Sequence, residues 1–207
     1  MVMDLQVYGR IVRMHSYKSH QTGSNIGGGS SSKDASKCNT HNLFILTEKY
    51  HFCVLYYDPV NKVIAKRTSG DLKSTIGRRV NYVKSCVDPN NRMIAMYLCD
   101  GHIKILPMPS SSSSSVAANG GFSDPYDLRL QDITRIVDIS FLHCAPRPTL
   151  VVLHEDDLGA RHLKTLTIDT RDKEFSNGPW QCNNQHESSH TIISVETGGV
   201  IVIGTTV

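Results

Sequence analysis

The histidines and cysteines of this 207-residue chain first raise the question of metal binding. Cys182, His186 and His190 have a C-x3-H-x3-H spacing, and Cys38 with His41 forms a C-x2-H pair. A structural zinc site normally combines two such ligand pairs. Because these two groups lie far apart in the sequence, in polar segments, we interpret them as solvated loop residues. We therefore expect no metal.

A second cluster combines one histidine with three carboxylates, the types of side chain that act in hydrolysis. Its members are His154, Glu155, Asp156 and Asp157. They stand just before Gly159, where we predict a hairpin tip, and charged residues crowd such tips because water solvates them. Catalysis would need another group that converges on the cluster. The sequence identifies none, so we expect no catalytic residue and keep a hydrolase that uses His154 only as an alternative.

Phosphate-binding motifs rich in glycine are absent from the sequence. Neither the G-x-x-x-x-G-K-[ST] pattern nor the G-x-G-x-x-G pattern occurs. Residues 27–29 are three consecutive glycines, but they lie in a serine-rich tract with no strand before it or helix after it. This tract therefore indicates a linker, and we expect no cofactor and no small-molecule substrate.

A basic stretch from residue 62 to residue 84 is the strongest candidate for a binding surface. It has one acid, Asp71, and Tyr82 lies within it. Its basic residues are Lys62, Lys66, Arg67, Lys73, Arg78, Arg79 and Lys84. Such residues on one face could follow the phosphates of a nucleic acid. Arginine is also favoured at protein interfaces, and the same stretch could bind a protein. A solvated strand face is the third interpretation.

The elements that position these residues recur along the chain. Residues 43–57, 92–107 and 149–168 each consist of an apolar run, a short polar break and a second apolar run, which is the pattern of a β-hairpin. A repeat of roughly 40–50 residues made of short strands is typical of propeller blades. The pattern predicts an all-β fold, an incomplete β-propeller of the WD40-like type. We expect about three to four blades of antiparallel strands.

Local signals refine the hairpins. Asp100-Gly101 predicts a tight turn with positive φ at both residues. After it, Ile103 and Ile105 alternate with His102 and Lys104, which predicts one buried face and one solvated face. The unbroken apolar runs 43–46 and 151–153 predict strands that are buried on both faces. The segment 175–180 predicts a turn, with Trp180 covering the edge of a core.

Two polar segments interrupt the strand pattern. Residues 16–41 are rich in glycine and serine, and residues 109–121 contain six consecutive serines. Neither segment buries enough apolar surface to offset the entropy of ordering it. We therefore predict one partial propeller domain, residues 1–207, with disordered insertions at 16–41 and 109–121.

Bulk composition excludes few functions. Twenty-two basic and nineteen acidic residues give a net charge of +3, which is too small an excess to indicate nucleic acid by itself. No run of 18 apolar residues occurs, so we expect no membrane partner. Several of the six cysteines lie in apolar runs, where they act as small buried hydrophobes. This usage favours a reducing compartment.

Several segments together resemble a known family. They are LFILTEKYHFCVLYY (43–57), IGRR (76–79), DPNNRMIAMYLCDGHIKILP (88–107) and GARHLKTLTIDTRDKEFSNGPW (159–180). They are similar to the three-propeller proteins that include the large subunit of the UV-damaged DNA-binding complex, which is an adaptor of a cullin–RING ubiquitin ligase. Subunits of splicing factor 3b and of the cleavage and polyadenylation factor share this fold.

The resemblance implies a function as well as a fold. It implies part of the first propeller of such an adaptor, which clasps WD40-type substrate receptors and is not an enzyme. Damaged DNA would be reached indirectly, through a partner subunit, and the location would be the nucleus or the cytoplasm. Because rigid blades present loops that make contacts, we predict partner contacts at Arg67, Arg78 and Arg79. The alternative is an RNA-processing propeller that binds nucleic acid through residues 62–84.

Overall fold

A computed structural model describes residues 7–18, 41–58, 61–73, 76–108, 122–133 and 135–205. Every regular element in these ranges is a β-strand, and no helix in them is long and apolar enough to cross a membrane. The strands fall into two compact units. Of the described residues, unit 1 holds 7–18, 41–58 and 61–71, and unit 2 holds 72–73, 76–108, 122–133 and 135–205.

Unit 1 contains one antiparallel sheet, sheet A, whose strands follow chain order. Its strands are β1 (Ile11–Lys18), β2 (His41–Thr47), β3 (His51–Asp58) and β4 (Val63–Asp71). Phe44 and Ile45 are neighbours in β2 and point to opposite faces, and both are buried. Val54 and Leu55 of β3 are buried in the same way, so both central strands are covered on both faces, as predicted for β2. The rings of Phe44 and Phe52 stack with centroids 5.7 Å apart.

Unit 2 contains two four-stranded sheets and one two-stranded sheet, all antiparallel and in chain order. Sheet B comprises β5 (Arg79–Val87), β6 (Met93–Cys99), β7 (His102–Pro107) and β8 (Tyr126–Arg129). Sheet C comprises β9 (Arg135–Phe141), β10 (Thr149–Glu155), β11 (Arg161–Asp169) and β12 (Glu174–Gln185), and sheet D comprises β13 (Ser189–Ser194) and β14 (Val200–Gly204).

The sheet order confirms the predicted fold class. Each four-stranded sheet is a meander, which is the form of a propeller blade, so the described residues hold three whole blades and half of a fourth. In unit 2 the first strands of the blades are neighbours: β9 lies between β5 and β13. The three predicted hairpins are confirmed as β2–β3, β6–β7 and β10–β11.

Four local predictions are corrected. The insertion predicted at 16–41 is wrong at both ends, because residues 16–18 complete β1 and His41 begins β2. Residues 19–40 and 109–121 lie outside the described residues. The turn predicted at 175–180 is part of β12. In the turn after β6, Gly101 has a φ of 73°, whereas Asp100 does not have a positive φ.

The fourth correction concerns Lys104, which the alternating pattern placed on a solvated face. Lys104 is buried. Its Nζ lies 2.8 Å from Oδ2 of Asp127, the residue directly opposite on strand β8. A buried ammonium requires such a partner, because an unpaired charge is costly away from water. The partner that allows this burial lies on a neighbouring strand, which the local pattern could not reveal.

The main core of unit 2 joins sheets B and C. Side chains from both sheets pack into one apolar cluster, which includes Met93, Ile105, Ile139, Phe141 and Val152. A smaller cluster around Leu153, Leu163 and Ile192 joins sheets C and D, and Trp180 packs against it, as predicted for a core edge. Burial of these faces drives successive blades together.

A carboxylate on the middle blade links the first strands of all three sheets. Asp138 of β9 has its Oδ1 3.3 Å from Nζ of Lys84 on β5. Its Oδ2 accepts a hydrogen bond of 3.0 Å from the backbone N–H of Ile192 on β13. The hydroxyl groups of Ser140 and Ser194 are 2.8 Å apart and add a second polar link between β9 and β13. These contacts fix the blades in register.

A second polar link joins the turns that follow β5 and β9. Arg92 binds Asp88 in a bidentate manner, with Nε 2.7 Å from Oδ2 and Nη2 2.8 Å from Oδ1. Its Nη1 donates to the carbonyl oxygen of Pro146 at 3.0 Å. One side chain therefore joins both turns. The end of sheet B where β5 finishes lies beside the end of sheet C where β9 finishes.

Strand β12 is the outer strand of sheet C and contains a wide bulge. Leu166 lies opposite Asn177, but Lys164 lies opposite Gln181, so β12 has extra residues between these pairs. Thr165 closes the bulge: its hydroxyl donates to the carbonyl of Trp180 and accepts from the N–H of Trp180 at 3.1 Å. A Cβ at Gly178 would overlap the side chain of Thr165, so only glycine fits there without rearrangement.

We expect replacement of Asp138 to weaken unit 2. Asp138→Ala removes the partner of Lys84 and the acceptor for Ile192 N–H, and leaves two polar groups without partners. The free energy of unfolding should fall by about 1–3 kcal/mol. Asp138→Asn should lose less, because its amide oxygen still accepts from Ile192. Urea unfolding measures both effects.

The matched control is Asp124→Ala, which changes an exposed aspartate of the same unit. Its effect should stay within about 0.5 kcal/mol. An Asp138→Ala protein as stable as this control would contradict the linking role of Asp138.

Candidate protein-interaction surface

The loop before β5 carries two of the three arginines predicted to contact a partner. Gly77 has a φ of 82°, and a Cβ on it would lie 3.1 Å from the carbonyl oxygen of Asp100. The carbonyl of Arg78 accepts a hydrogen bond of 2.8 Å from the N–H of Asp100. The loop is thus tied to the β6–β7 turn, and a glycine provides the close approach that this needs.

The side chain of Arg78 is largely exposed. It is 84% exposed, and its Nε lies 3.9 Å from Oδ2 of Asp100. The other oxygen of Asp100 accepts a hydrogen bond of 3.1 Å from the hydroxyl of Tyr97. Burial is the largest cause, and that hydrogen bond the second, of the raised pKa of Tyr97. The carboxylate is therefore shared, and most of the guanidinium of Arg78 faces solvent.

Strand β5 continues from Arg79 into a wide bulge. Arg79 lies opposite Cys99 of β6, and the next paired residue of β5 is Lys84, opposite Tyr97. Residues 80–83 therefore face a single residue of β6. Tyr82, in this bulge, is 81% exposed and is the most exposed aromatic side chain of the described residues. The sequence showed Tyr82 among basic residues, but it gave no sign of the bulge.

The third predicted arginine, Arg67, belongs to unit 1. It lies in β4 at a bulge, between Lys66, which pairs with Leu55, and Thr68, which pairs with Val54. It is half-buried. Burial raises the pKa of Tyr17 to about 12, and the charge of Arg67 acts in the opposite direction. The structure thus brings Arg78 and Arg79 together in unit 2 and places Arg67 in the other unit.

The basic stretch 62–84 is divided in the same way. Lys62, Lys66 and Arg67 lie in unit 1, and Lys73 and the residues after it lie in unit 2. Lys84 is mostly buried, because its ammonium forms the ion pair with Asp138. A surface that follows phosphates needs uncompensated cations, and Lys84 does not provide one.

The third hairpin positions the cluster that was considered for hydrolysis. Oε1 of Glu155 lies 2.6 Å from Nη1 of Arg135, and Oε2 lies 2.9 Å from Nη2 of Arg161. Arg161 also donates from Nη1 to the carbonyl of Ser189 at 2.8 Å. Glu155 therefore joins three strands of sheet C and, through Arg161, the first residue of sheet D. This is a structural role.

Asp156 organises the tip itself. Its Oδ1 accepts hydrogen bonds from the N–H groups of Leu158 and Ala160 at 2.9 and 2.8 Å, and its Oδ2 lies 3.0 Å from Nε2 of His162. The hydrogen bond from His162 is the largest cause of the lowered pKa of Asp156. The tip is not isolated in solvent, but the carboxylate and His162 are engaged in fixing the turn.

Comparison with known proteins places these features in a family. The family model described as the RSE1/DDB1/CPSF1 first beta-propeller matches residues 1–207. The chain is 32% identical over 206 residues to DNA damage-binding protein 1 of Solanum lycopersicum and of Oryza sativa subsp. japonica. It is 31% identical over 206 residues to DNA damage-binding protein 1a of Arabidopsis thaliana. The chain belongs to the RSE1/DDB1/CPSF1 first-propeller family.

The extent of the match defines what this membership covers. The aligned region is 98% of this chain and 17% of each of these three relatives. The chain therefore spans about a sixth of their length. Membership confirms the suspected relationship to DNA damage-binding protein 1. It also identifies the chain as a propeller domain of a protein-interaction scaffold family.

The histidines and cysteines of this propeller are not gathered into a metal site in the part of the chain that the structure describes. Cys182 accepts a hydrogen bond from Gln185, and the ring of His186 contacts the Ser188 hydroxyl at 2.7 Å. His190 is exposed in β13 and contacts Thr191. His41 begins β2, and Cys38 lies outside the described residues.

His154 is the one member of the predicted cluster with a buried, unpaired polar atom. It faces His162 directly across β10 and β11, with ring centroids 5.4 Å apart. Its Nδ1 has no hydrogen-bond partner. Burial lowers the pKa of His154, and the neighbouring His162 and Lys164 lower it further. The neutral imidazole is therefore favoured in the folded chain.

We expect this histidine to make the stability of the propeller depend on pH. Its ordinary pKa is 6.5 and its folded value is lower, so the unfolded chain binds the proton more readily. The full stability should be present above pH 6.5 and should decline as the pH falls below it toward the folded pKa. Urea midpoints between pH 7.5 and pH 5 measure this decline.

His154→Gln should make the decline smaller, whereas His190→Gln, at an exposed site, should leave it unchanged. His15, in unit 1, also has a pKa lowered by burial, so part of the decline should remain in His154→Gln. Equal pH dependence in the two variants would show that His154 does not contribute.

Proposed function

We propose that this propeller is a non-enzymatic scaffold that binds WD40-type substrate receptors of a cullin–RING ubiquitin ligase in the repair of damaged DNA. The observation that supports it most is the family match over residues 1–207, together with relatives named DNA damage-binding protein 1. Contact with damaged DNA would be indirect, through the receptor or another partner subunit. The proposed location is the nucleus.

The charge and geometry of the β5 loop suit a receptor contact. The loop is held by the Gly77 approach and by the hydrogen bond between Asp100 and Arg78, so its conformation exists before a partner arrives. A pre-ordered loop lowers the entropic cost of association. Arg78 presents most of its guanidinium to solvent, and arginine forms strong bidentate contacts with carboxylates.

The nucleic-acid alternative has less support. It relied on the cations of residues 62–84 as one basic surface. Its last cation, Lys84, is neutralised by Asp138. The relatives that match over nearly the whole chain carry the DNA damage-binding name. A salt-dependent gel shift with RNA that needs Lys62 and Lys66 would reverse this preference.

We expect charge reversal at the predicted arginines to weaken receptor capture without unfolding the chain. Arg78→Glu and Arg67→Glu should each raise the Kd for a purified WD40-type receptor by about tenfold, equivalent to about 1.4 kcal/mol. Circular dichroism should be unchanged for Arg78→Glu, because that side chain is exposed. Biolayer interferometry with the immobilised receptor measures the affinity.

Arg171→Glu is the matched control, because Arg171 is an exposed arginine of the same unit, in the turn between β11 and β12. Its Kd should equal that of the unaltered chain. If Arg78→Glu and Arg171→Glu bind alike, the assignment of Arg78 to the receptor contact is wrong. If the unaltered chain binds no receptor, the proposed function itself is wrong.

A further inference from the structure

The bulge in β5, the first strand of its blade, is wide. Four residues, 80–83, lie opposite one residue of β6, between the Arg79–Cys99 and Lys84–Tyr97 pairs. Bulges redirect side chains, and they are frequent next to functional sites. In this bulge the side chain of Tyr82 is exposed to solvent, and 81% of the residue's surface is accessible.

An exposed tyrosine held at this position has the properties of an interface anchor. Tyrosine gives a large contact area at a small entropic cost, because only two side-chain torsions are fixed on binding. Tyrosine and arginine are two of the residue types most enriched among binding hot spots. Arg78 and Tyr82 belong to the same short segment, so one partner surface can contact both.

The segment is also fixed at both ends. At its start, the carbonyl of Arg78 accepts from Asp100 N–H at 2.8 Å. At its end, Lys84 pairs with Tyr97 in the sheet and with Asp138 through its ammonium, which lies 3.3 Å from the carboxylate. The bulge is therefore bounded by two attachments to the core of unit 2. Such a segment loses little freedom when a partner binds it.

The charge of the segment indicates which partner it suits. Residues 76–84 contain Arg78, Arg79 and Lys84 and no acid. Lys84 is neutralised internally, whereas Arg78 has only a contact of 3.9 Å with a carboxylate that also accepts from Tyr97. Its donors are therefore available to a second carboxylate. The complementary surface is acidic and lies beside a pocket that accepts an aromatic ring.

We propose that Arg78 and Tyr82 form one docking surface for a protein partner that presents a carboxylate next to an apolar, ring-sized pocket. Tyr82 is the anchor and fills the pocket. Arg78 sets the orientation through the carboxylate. The proposal rests on the proposed function, since it identifies where a receptor would be held and by which side chains.

Single-stranded nucleic acid is the competing ligand for an aromatic ring beside an arginine, because bases stack on such rings. The observations favour protein. A strand of nucleic acid needs a row of free cations along its backbone, and the bulge is followed by a neutralised lysine.

The test compares four variants of the full 207-residue chain for binding to a purified WD40-type receptor by isothermal titration calorimetry. Tyr82→Ala should raise the Kd by roughly tenfold to a hundredfold, the range of a hot-spot residue. Tyr82→Phe should stay within about threefold, because the ring and not the hydroxyl fills the pocket. Tyr57→Ala, which removes an exposed tyrosine of unit 1, should bind like the unaltered chain.

The fourth variant, Arg78→Glu, tests the carboxylate. It should weaken binding, and replacement of one acidic residue of the receptor by lysine should restore it. Thermal unfolding should be the same for Tyr82→Ala and Tyr57→Ala, because both side chains are exposed. A loss of affinity therefore reports on the contact and not on the fold.

The outcomes separate this inference from the proposed function. If the unaltered chain binds no receptor, the proposed function fails, and this inference fails with it. If the unaltered chain binds and Tyr82→Ala binds equally well, only the inference is overturned. If Tyr82→Ala lowers the salt-dependent binding of a single-stranded oligonucleotide and leaves the receptor affinity unchanged, the surface belongs to nucleic acid and the inference is also overturned.

Discussion

The carboxylate of Asp138 is the contact on which the arrangement of unit 2 depends. Hydrophobic burial brings the blades together, but apolar contact has no direction. Asp138 supplies direction, because one oxygen receives the Lys84 ammonium of the preceding blade and the other receives the Ile192 N–H of the following blade. Three first strands are thus fixed by one side chain. The loop before β5 and the bulge in β5 are displayed from this fixed strand.

The same ion pair shows that some basic residues of this chain have a structural role, whereas others remain available to a partner. In the sequence, Lys84 and Arg78 are equivalent members of one basic stretch. In the structure, Lys84 serves the joint between blades, and Arg78 faces solvent beside a carboxylate that already has another partner. A similar division separates the residues of the third hairpin, where Glu155 and Asp156 hold strands and a turn. Exposed position and lack of a committed partner distinguish a candidate contact from a structural charge.

The repeat of apolar runs was enough to predict the hairpins and the blade architecture, because strand burial is a local pattern. Contacts made by neighbouring strands could not be predicted in this way, because those strands are distant in the sequence. Lys104 alternates with isoleucines as a solvated residue would, yet it is buried and paired with Asp127 of β8. The segment at 175–180 has turn residues, yet Thr165 holds it inside β12. Arg78 and Arg79 were predicted from residue type, whereas the exposure of Tyr82 depends on a register shift that no spacing reveals.

The bulge in β12 has a consequence for self-association. This twelve-residue strand is the longest described, and in the described part of the chain it pairs only with β11. A long, regular outer strand would be a template for strands of other molecules. Gly178 and Pro179 interrupt that template, since proline offers no N–H and the bulge bends the strand. The bulge that Thr165 stabilises therefore also hinders the addition of a strand from another molecule to this blade.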